Sequence, residues 1–130
     1  MNYSKQRKMI YDALCSTEEH PTADLLYRGL KAEYPRLSLA TVYRNLTQLC
    51  DSGMVRRLRV NGSPDRFDAN TRPHYHFCCE KCGEVSDVKL PKNILETLMT
   101  LDTGCEVYDC DVIYYGICGG CVGEKQKVAL

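Results

Sequence analysis

The chain has 130 residues, 44% hydrophobic and 26% charged, enough for a core and a solvated surface, which excludes a disordered chain. Formal net charge is zero, yet residues 1–70 hold eleven Lys and Arg against eight Asp and Glu, while residues 71–130 hold six against nine, so the first half is the candidate face for nucleic acid. No apolar run approaches the roughly 18–20 residues that cross a bilayer, and Met1–Leu14 carries Lys5, Arg7 and Lys8 where a leader would be apolar, so a soluble, cytoplasmic protein with no membrane partner is expected.

In chain order, Met9, Ile10, Ala13 and Leu14 recur at helical spacing over about Lys5–Cys15. Thr22 is placed to cap a second helix from Ala23 to about Tyr34, with Leu26, Leu30 and Tyr34 on one stripe and Pro35 as its stop. Ser38 is a good cap for a third helix, Leu39–Asp51, whose Leu39, Val42, Leu46 and Leu49 form a core face and whose terminus Gly53 supplies. Opposite that face Thr41, Arg44, Asn45 and Gln48, with Tyr43 at the border, are groups that hydrogen-bond bases and phosphates when a helix enters a major groove. Asn61-Gly62-Ser63-Pro64 then separates two extended runs, Met54–Val60 and Asp65–Asp68, predicting a hairpin that carries Arg56, Arg57, Arg59 and Arg66. Three helices and an arginine-bearing hairpin in this order predict a winged helix-turn-helix, Arg57 and Arg59 gripping phosphates, against the blander reading of a solvated helix face and solubility charges.

The domains expected are 1–66, a hinge over 67–73 that ends in Pro73, and 74–130. Seven of the nine cysteines fall in the last of these. An odd number with no export signal argues for metal-bound or reduced thiols rather than a disulfide framework. Cys79 with Cys82 and Cys118 with Cys121 are two CxxC pairs whose turns contain or precede glycine, and four thiolates suit a closed, structural Zn²⁺ site. Two disulfides, buried free thiols and a rubredoxin-like iron centre for electron transfer are the competing readings. Strand alternation puts His74 and His76 on one face, a pattern that favours ligands, whereas His20 before a helix reads as a capping or surface residue when taken alone. Cys15 and Cys50 are expected to be small buried hydrophobes, and a thiol switch at Cys105 and Cys110 stays open. Past Pro91 a helix with Ile94, Leu95, Leu98, Met99 and Leu101 is expected to pack on a sheet. An enzyme is not expected: a zinc deaminase needs a His-x-Glu pair that His74-Tyr75-His76 does not supply, and no phosphate-cradling glycine loop or Ser-His-Asp arrangement is present.

The segments His20-Pro21-Thr22-Ala23-Asp24, Ser38 to Leu46, Arg66-Phe67-Asp68, His74-Tyr75-His76-Phe77, both CxxC pairs and Tyr115-Gly116-Ile117-Cys118 strongly resemble the ferric uptake regulator (Fur) family, over nearly the whole chain. The resemblance implies an α+β homodimer in which an N-terminal winged-helix DNA-binding domain precedes a C-terminal αβ dimerisation domain with a structural four-cysteine zinc site. It further implies a metal-dependent repressor of palindromic AT-rich operators. Carried over residue by residue, the regulatory Fe²⁺ or Mn²⁺ site would comprise His20, Asp68, His74, His76 and Asp87. Aspartate at both carboxylate positions resembles the peroxide-sensing branch, which implies that iron-catalysed oxidation of His20 or His74 releases DNA. An iron- or manganese-responsive repressor without peroxide sensing, and a zinc-ribbon interaction module, are the alternatives. Two features depart from that branch: the short N-terminus, and Arg44 where Asn is common.

Overall fold

The computed structural model describes residues 3–71, 75–100 and 104–123. Its contacts divide the chain into two compact units, Met1–Arg72 and Pro73–Leu130.

The first unit contains α1 (Tyr3–Cys15), α2 (Ala23–Lys31), α3 (Leu39–Asp51), β1 (Arg56–Leu58) and β2 (Arg66–Asp68). Local chemistry sets each boundary. The Thr22 hydroxyl accepts the Leu25 N–H at 3.2 Å and the Ser38 hydroxyl accepts the Thr41 N–H at 3.1 Å, satisfying donors that a first helical turn leaves open. At the other end of α3, Gly53 takes φ +78°, and the Gly53 and Met54 amides donate back to the Cys50 and Leu49 carbonyls, each at 3.0 Å. This pair of bonds needs a left-handed residue, which glycine supplies without a Cβ clash. The regular part of α2 ends at Lys31, but Ala32 keeps helical dihedrals and the Tyr34 N–H still donates to the Leu30 carbonyl at 2.9 Å, so helical bonding reaches Tyr34, where Pro35 stops it.

The apolar stripes of the three helices meet in a core of Ile10, Leu14, Leu26, Val42, Leu46 and Leu49, which Phe67 from β2 closes. β1 and β2 pair antiparallel with Arg57 opposite Phe67, forming the wing. The paired strands are shorter than the extended runs. The chain turns between Val60 and Ser63, Gly62 is left-handed, and Pro64 has no N–H for a ladder. Phe67 and Asp68, which the sequence places both in the second extended run and at the start of the hinge, are strand residues of the wing, because burial of the Phe67 ring fixes them to this core. Cys15 is exposed rather than buried, since it follows Leu14 by about 100° around the helix and leaves the apolar stripe. Cys50 is half-buried against the core.

The second unit holds β3 (Tyr75–Cys79), β4 (Val85–Val88), α4 (Lys92–Met99) and β5 (Ile113–Gly116). The sheet order is β4-β3-β5, with β4 antiparallel and β5 parallel to β3. β3, the central strand, is buried on both faces, so Tyr75 and His76 are equally enclosed although their side chains point apart. On α4, Ile94 and Leu98 remain exposed; the expected cover from the sheet does not reach them. Among the described residues no helix is long and apolar enough to cross a membrane.

Candidate metal centres and reading face

The second unit builds a four-sulfur cluster from two distant stretches of chain. Parallel pairing sets Cys79 beside Gly116, which brings the Cys79-to-Cys82 turn against the turn that starts at Cys118. Gly116 eases that approach, for a Cβ there would lie 3.3 Å from the Phe77 ring, a tight contact that the ring would have to yield to. Gly83, at φ +77°, closes the first turn, its N–H donating to the Cys79 carbonyl at 2.9 Å. The sulfurs of Cys79, Cys82, Cys118 and Cys121 lie within 4.8 Å of one another, with Cys82 and Cys118 at 3.9 Å. Tetrahedral Zn–S bonds of about 2.3 Å require sulfurs about 3.8 Å apart, so the cluster fits a structural zinc site.

The backbone prepares the first ligand. The Cys118 and Cys82 amides donate to Cys79 Sγ at 3.3 and 3.4 Å and hold its pKa down at about 6. Cys121 is pushed up to about 12, first by its hydrogen bond with the Cys118 thiol and then by burial. One ready thiolate beside a thiol that keeps its proton is a cluster poised to exchange protons for a cation.

Each unit also carries one histidine set against an aspartate. In the first, His20 is 3% exposed and its Nε2 lies 3.0 Å from Asp68 Oδ2, while Asp68 Oδ1 accepts the Asn70 N–H at 2.9 Å. His20 is therefore neither a surface nor a capping residue. It alone among the described non-glycine residues has a positive φ, +53°, a conformation with no signature in the sequence. In the second unit, His76 stands opposite Asp87 in the β3–β4 ladder, and Nε2 is 3.5 Å from Asp87 Oδ1. His74 lies outside the described residues. Imidazole nitrogens with carboxylate oxygens suit a borderline to hard divalent ion such as Fe²⁺ or Mn²⁺.

The exposed face of α3 carries Tyr43, Arg44, Thr47 and Gln48, with Thr41 half-buried at its edge. Asn45 does not belong to this face and is corrected to the core. It is fully buried, 60° around the helix from Val42, and its Nδ2 donates to the Thr41 carbonyl at 2.8 Å. Its polar identity concealed a position that the spacing gives to the apolar stripe.

Two residues, Arg7 beside this face and Thr47 on it, were not among the candidates. Arg7 of α1 hydrogen-bonds Gln48 Oε1, and the hydroxyl of Thr47 accepts from Arg57 at 3.3 Å. Arg59 is exposed as expected of a phosphate ligand. Arg57 is only partly available, since its guanidinium stacks 5.4 Å from the centre of the Phe67 ring and lies 3.8 Å from Asp65. Arg66 is turned inward, donating to the His20 carbonyl at 3.1 Å, rather than decorating the wing surface.

A winged helix-turn-helix followed by a small αβ unit with a zinc-type cysteine cluster defines a metal-binding regulator class. The ferric uptake regulator family profile matches residues 1–115, and the chain belongs to that family. The peroxide-responsive repressor PerR of Staphylococcus aureus is 40% identical over 117 residues, covering 89% of this chain and 79% of the relative. Among solved structures, the Campylobacter jejuni peroxide stress regulator matches with a TM-score of 0.78 and 34% identity, covering 92% of this chain and 90% of its own. The ferric uptake regulator of Pseudomonas aeruginosa, solved with manganese, gives a TM-score of 0.71 and 30% identity over 88% of this chain and 87% of its own. The chain is thus a Fur-family regulator closely related to peroxide-responsive repressors.

Proposed function

We propose that the protein is a homodimeric, metal-dependent repressor that binds palindromic AT-rich DNA in the cytoplasm and senses peroxide by oxidation of a histidine ligand. The observation that carries this reading is the recurrence of one buried histidine against one aspartate in each unit, His20 with Asp68 and His76 with Asp87. The kinship with peroxide-responsive repressors supports it. One Fe²⁺ or Mn²⁺ drawing on His20, Asp68, His74, His76 and Asp87 would constrain the reading unit relative to the dimerisation unit. A bias of about 3 kcal/mol toward the DNA-competent arrangement shifts the population ratio more than a hundredfold.

Within such a site the chain's residues have separate tasks. Asp68 and Asp87 supply hard oxygen donors and neutralise charge, and His20, held in a buried loop, presents an imidazole shielded from bulk solvent. A ferrous ion held by these residues would supply redox chemistry that lets peroxide act as a two-electron oxidant, one peroxide oxygen being added at an imidazole C–H of His20 or His74 and the other lost as water, with no net change in the iron; Mn²⁺ would run this chemistry poorly. An oxidised His20 or His74 ligates weakly, and the constraint on the reading unit relaxes. Tyr43, Arg44, Gln48 and Thr41 would meet base edges and sugars while Arg57 and Arg59 hold phosphates. The cysteine cluster stays closed and structural.

The test is a DNA-shift titration with Mn²⁺ and with Fe²⁺, each before and after dilute peroxide, paired with intact mass. Expected are metal-dependent shifts with both ions, and loss of the shift after peroxide only with Fe²⁺, together with one oxygen added on a histidine peptide. Unchanged mass with retained binding would remove the sensing role and leave an iron- or manganese-responsive repressor. A protein that is coloured as purified, with iron rather than zinc in the cysteine cluster, would instead favour the electron-transfer alternative.

A further inference from the structure

The segment that carries His20 is attached to the wing as a short extra strand. Thr22 and Arg66 form an isolated antiparallel bridge, and the Phe67 amide donates to the Pro21 carbonyl at 3.0 Å. Continuing that register sets residue 20 opposite residue 68, which is where the imidazole and the carboxylate meet at 3.0 Å. Yet His20 does not continue the strand. At φ +53° its backbone is left-handed, an unfavourable state for a residue with a bulky ring on Cβ, and such a state persists only where its surroundings over-determine it. Beside the Phe67 amide on Pro21, the Arg66 guanidinium grips this peptide through its 3.1 Å bond to the His20 carbonyl.

We propose that Arg66 is a positioning residue for the His20–Asp68 pair: its guanidinium fixes the His20 carbonyl and so keeps the strained backbone from which the imidazole reaches the carboxylate. β2 then supplies both halves of the arrangement, the carboxylate at residue 68 and the clamp two residues earlier on the same strand face. The role in metal binding rests on the reading of His20 and Asp68 as ligands of a regulatory divalent cation. The role in geometry does not, because it is argued from the 3.1 Å bond to the His20 carbonyl and the 3.0 Å imidazole–carboxylate contact alone.

The test uses the full zinc-loaded chain with Arg66→Met, which keeps the aliphatic stem but has no donor, and Arg66→Lys, which keeps one donor. His20→Ala is the control. Free Mn²⁺ is followed by electron paramagnetic resonance during titration, and the His20 ring nitrogens are followed by NMR before Mn²⁺ is added. Arg66→Met is expected to weaken Mn²⁺ binding about tenfold or more, as loss of a group supporting a ligand does. It should also shift the His20 ring signals away from their aspartate-bonded positions, with zinc content unchanged and Arg66→Lys recovering part of both effects. Mn²⁺ affinity within twofold of wild type, or an unmoved His20 ring signal, or a lysine variant no better than methionine, overturns the proposal. If His20→Ala binds Mn²⁺ like wild type, the regulatory-site reading fails on its own, and the ring signal alone decides what Arg66 does. Should Arg66→Met lose its zinc or its cooperative melt, Arg66→Gln, too short to reach the carbonyl, is measured against the same outcomes.

Discussion

At Asn45 a polar side chain occupies a core position, and the consequences separate packing from recognition. Its Nδ2 is satisfied by the Thr41 carbonyl, whereas no partner is found for its buried Oδ1. Truncation to alanine removes one good hydrogen bond, about 1 kcal/mol, together with one unsatisfied acceptor, so the two effects oppose each other. Asn45→Ala should therefore change stability by no more than about 1 kcal/mol and DNA affinity by less than about twofold. Arg44→Ala, on the exposed face, should cost about tenfold in affinity, within the roughly 1–3 kcal/mol of a bidentate base contact. Thermal denaturation and shift titrations on both variants check this. Spacing alone, Val42 to Asn45 to Leu49, already places Asn45 on the buried stripe; what misleads is its chemistry. His20 is the opposite case. Its burial follows from a left-handed backbone held by Arg66, a contact 46 positions away that no local pattern announces.

Cys79 shows what the fold adds to a motif that is plain in the sequence. The CxxC spacing identifies the ligands, but only the two amide donors at 3.3 and 3.4 Å lower its pKa to about 6, below the ordinary 9.0. At pH 7.5 this sulfur is then mostly thiolate before any cation arrives. Zinc added to the metal-free chain in a weakly buffered solution should release fewer than four protons per ion. The sign follows from the same value: as pH falls through about 6, Cys79 takes up its proton and zinc retention weakens. Proton release by pH-stat and zinc retention against a chelator between about pH 5 and 8 measure both parts.

Among the elements, those with local causes were readable. α3 runs from Leu39 to Asp51 as its Ser38 cap and Gly53 terminus require, and the turn at Asn61-Gly62 marks the wing. The pairing of β3 with β5 was not readable, because its partners are separated by β4 and α4 and parallel pairing leaves no turn signal. That pairing nonetheless carries the cysteine cluster, with Gly116 set beside Cys79. Gly116→Val would drive a branched side chain into the Phe77 ring. A destabilisation of about 1–3 kcal/mol is expected, with faster zinc loss to a chelator and an unaltered first unit. A melt of the whole chain alongside chelator kinetics distinguishes this from a general loss of folding. The wing depends on Phe67 in the same way: Phe67→Ala empties the base of a closed core and should cost about 3–5 kcal/mol, releasing Arg57 from its ring contact.

For the molecule as a whole, the sequence already separates two halves by charge, about +3 for residues 1–70 and about −3 for residues 71–130, and by the crowding of cysteines into the second. What composition could not indicate is how much apolar surface the second unit leaves uncovered. Ile94, Leu98, Tyr114, Tyr115 and Val122 are exposed, and Tyr108 is 86% so. Exposed apolar side chains that gather into a patch mark an interaction surface, and Ile94 with Leu98, one helical turn apart on α4, are such neighbours. A second copy of the same unit is the cover that the homodimer reading requires, joined through like surfaces as two-fold partners are. Replacing Ile94 and Leu98 together with glutamate would place two like charges per protomer, four per dimer, on that apolar contact. Sedimentation should show the wild type as a dimer at micromolar concentration and the double variant as a monomer with zinc retained. Binding to a two-half-site palindrome should then fall by well over tenfold, while the weaker affinity for a single half-site stays unchanged, because the reading unit itself is untouched. A double variant that sediments as a dimer would place the subunit contact elsewhere on the chain.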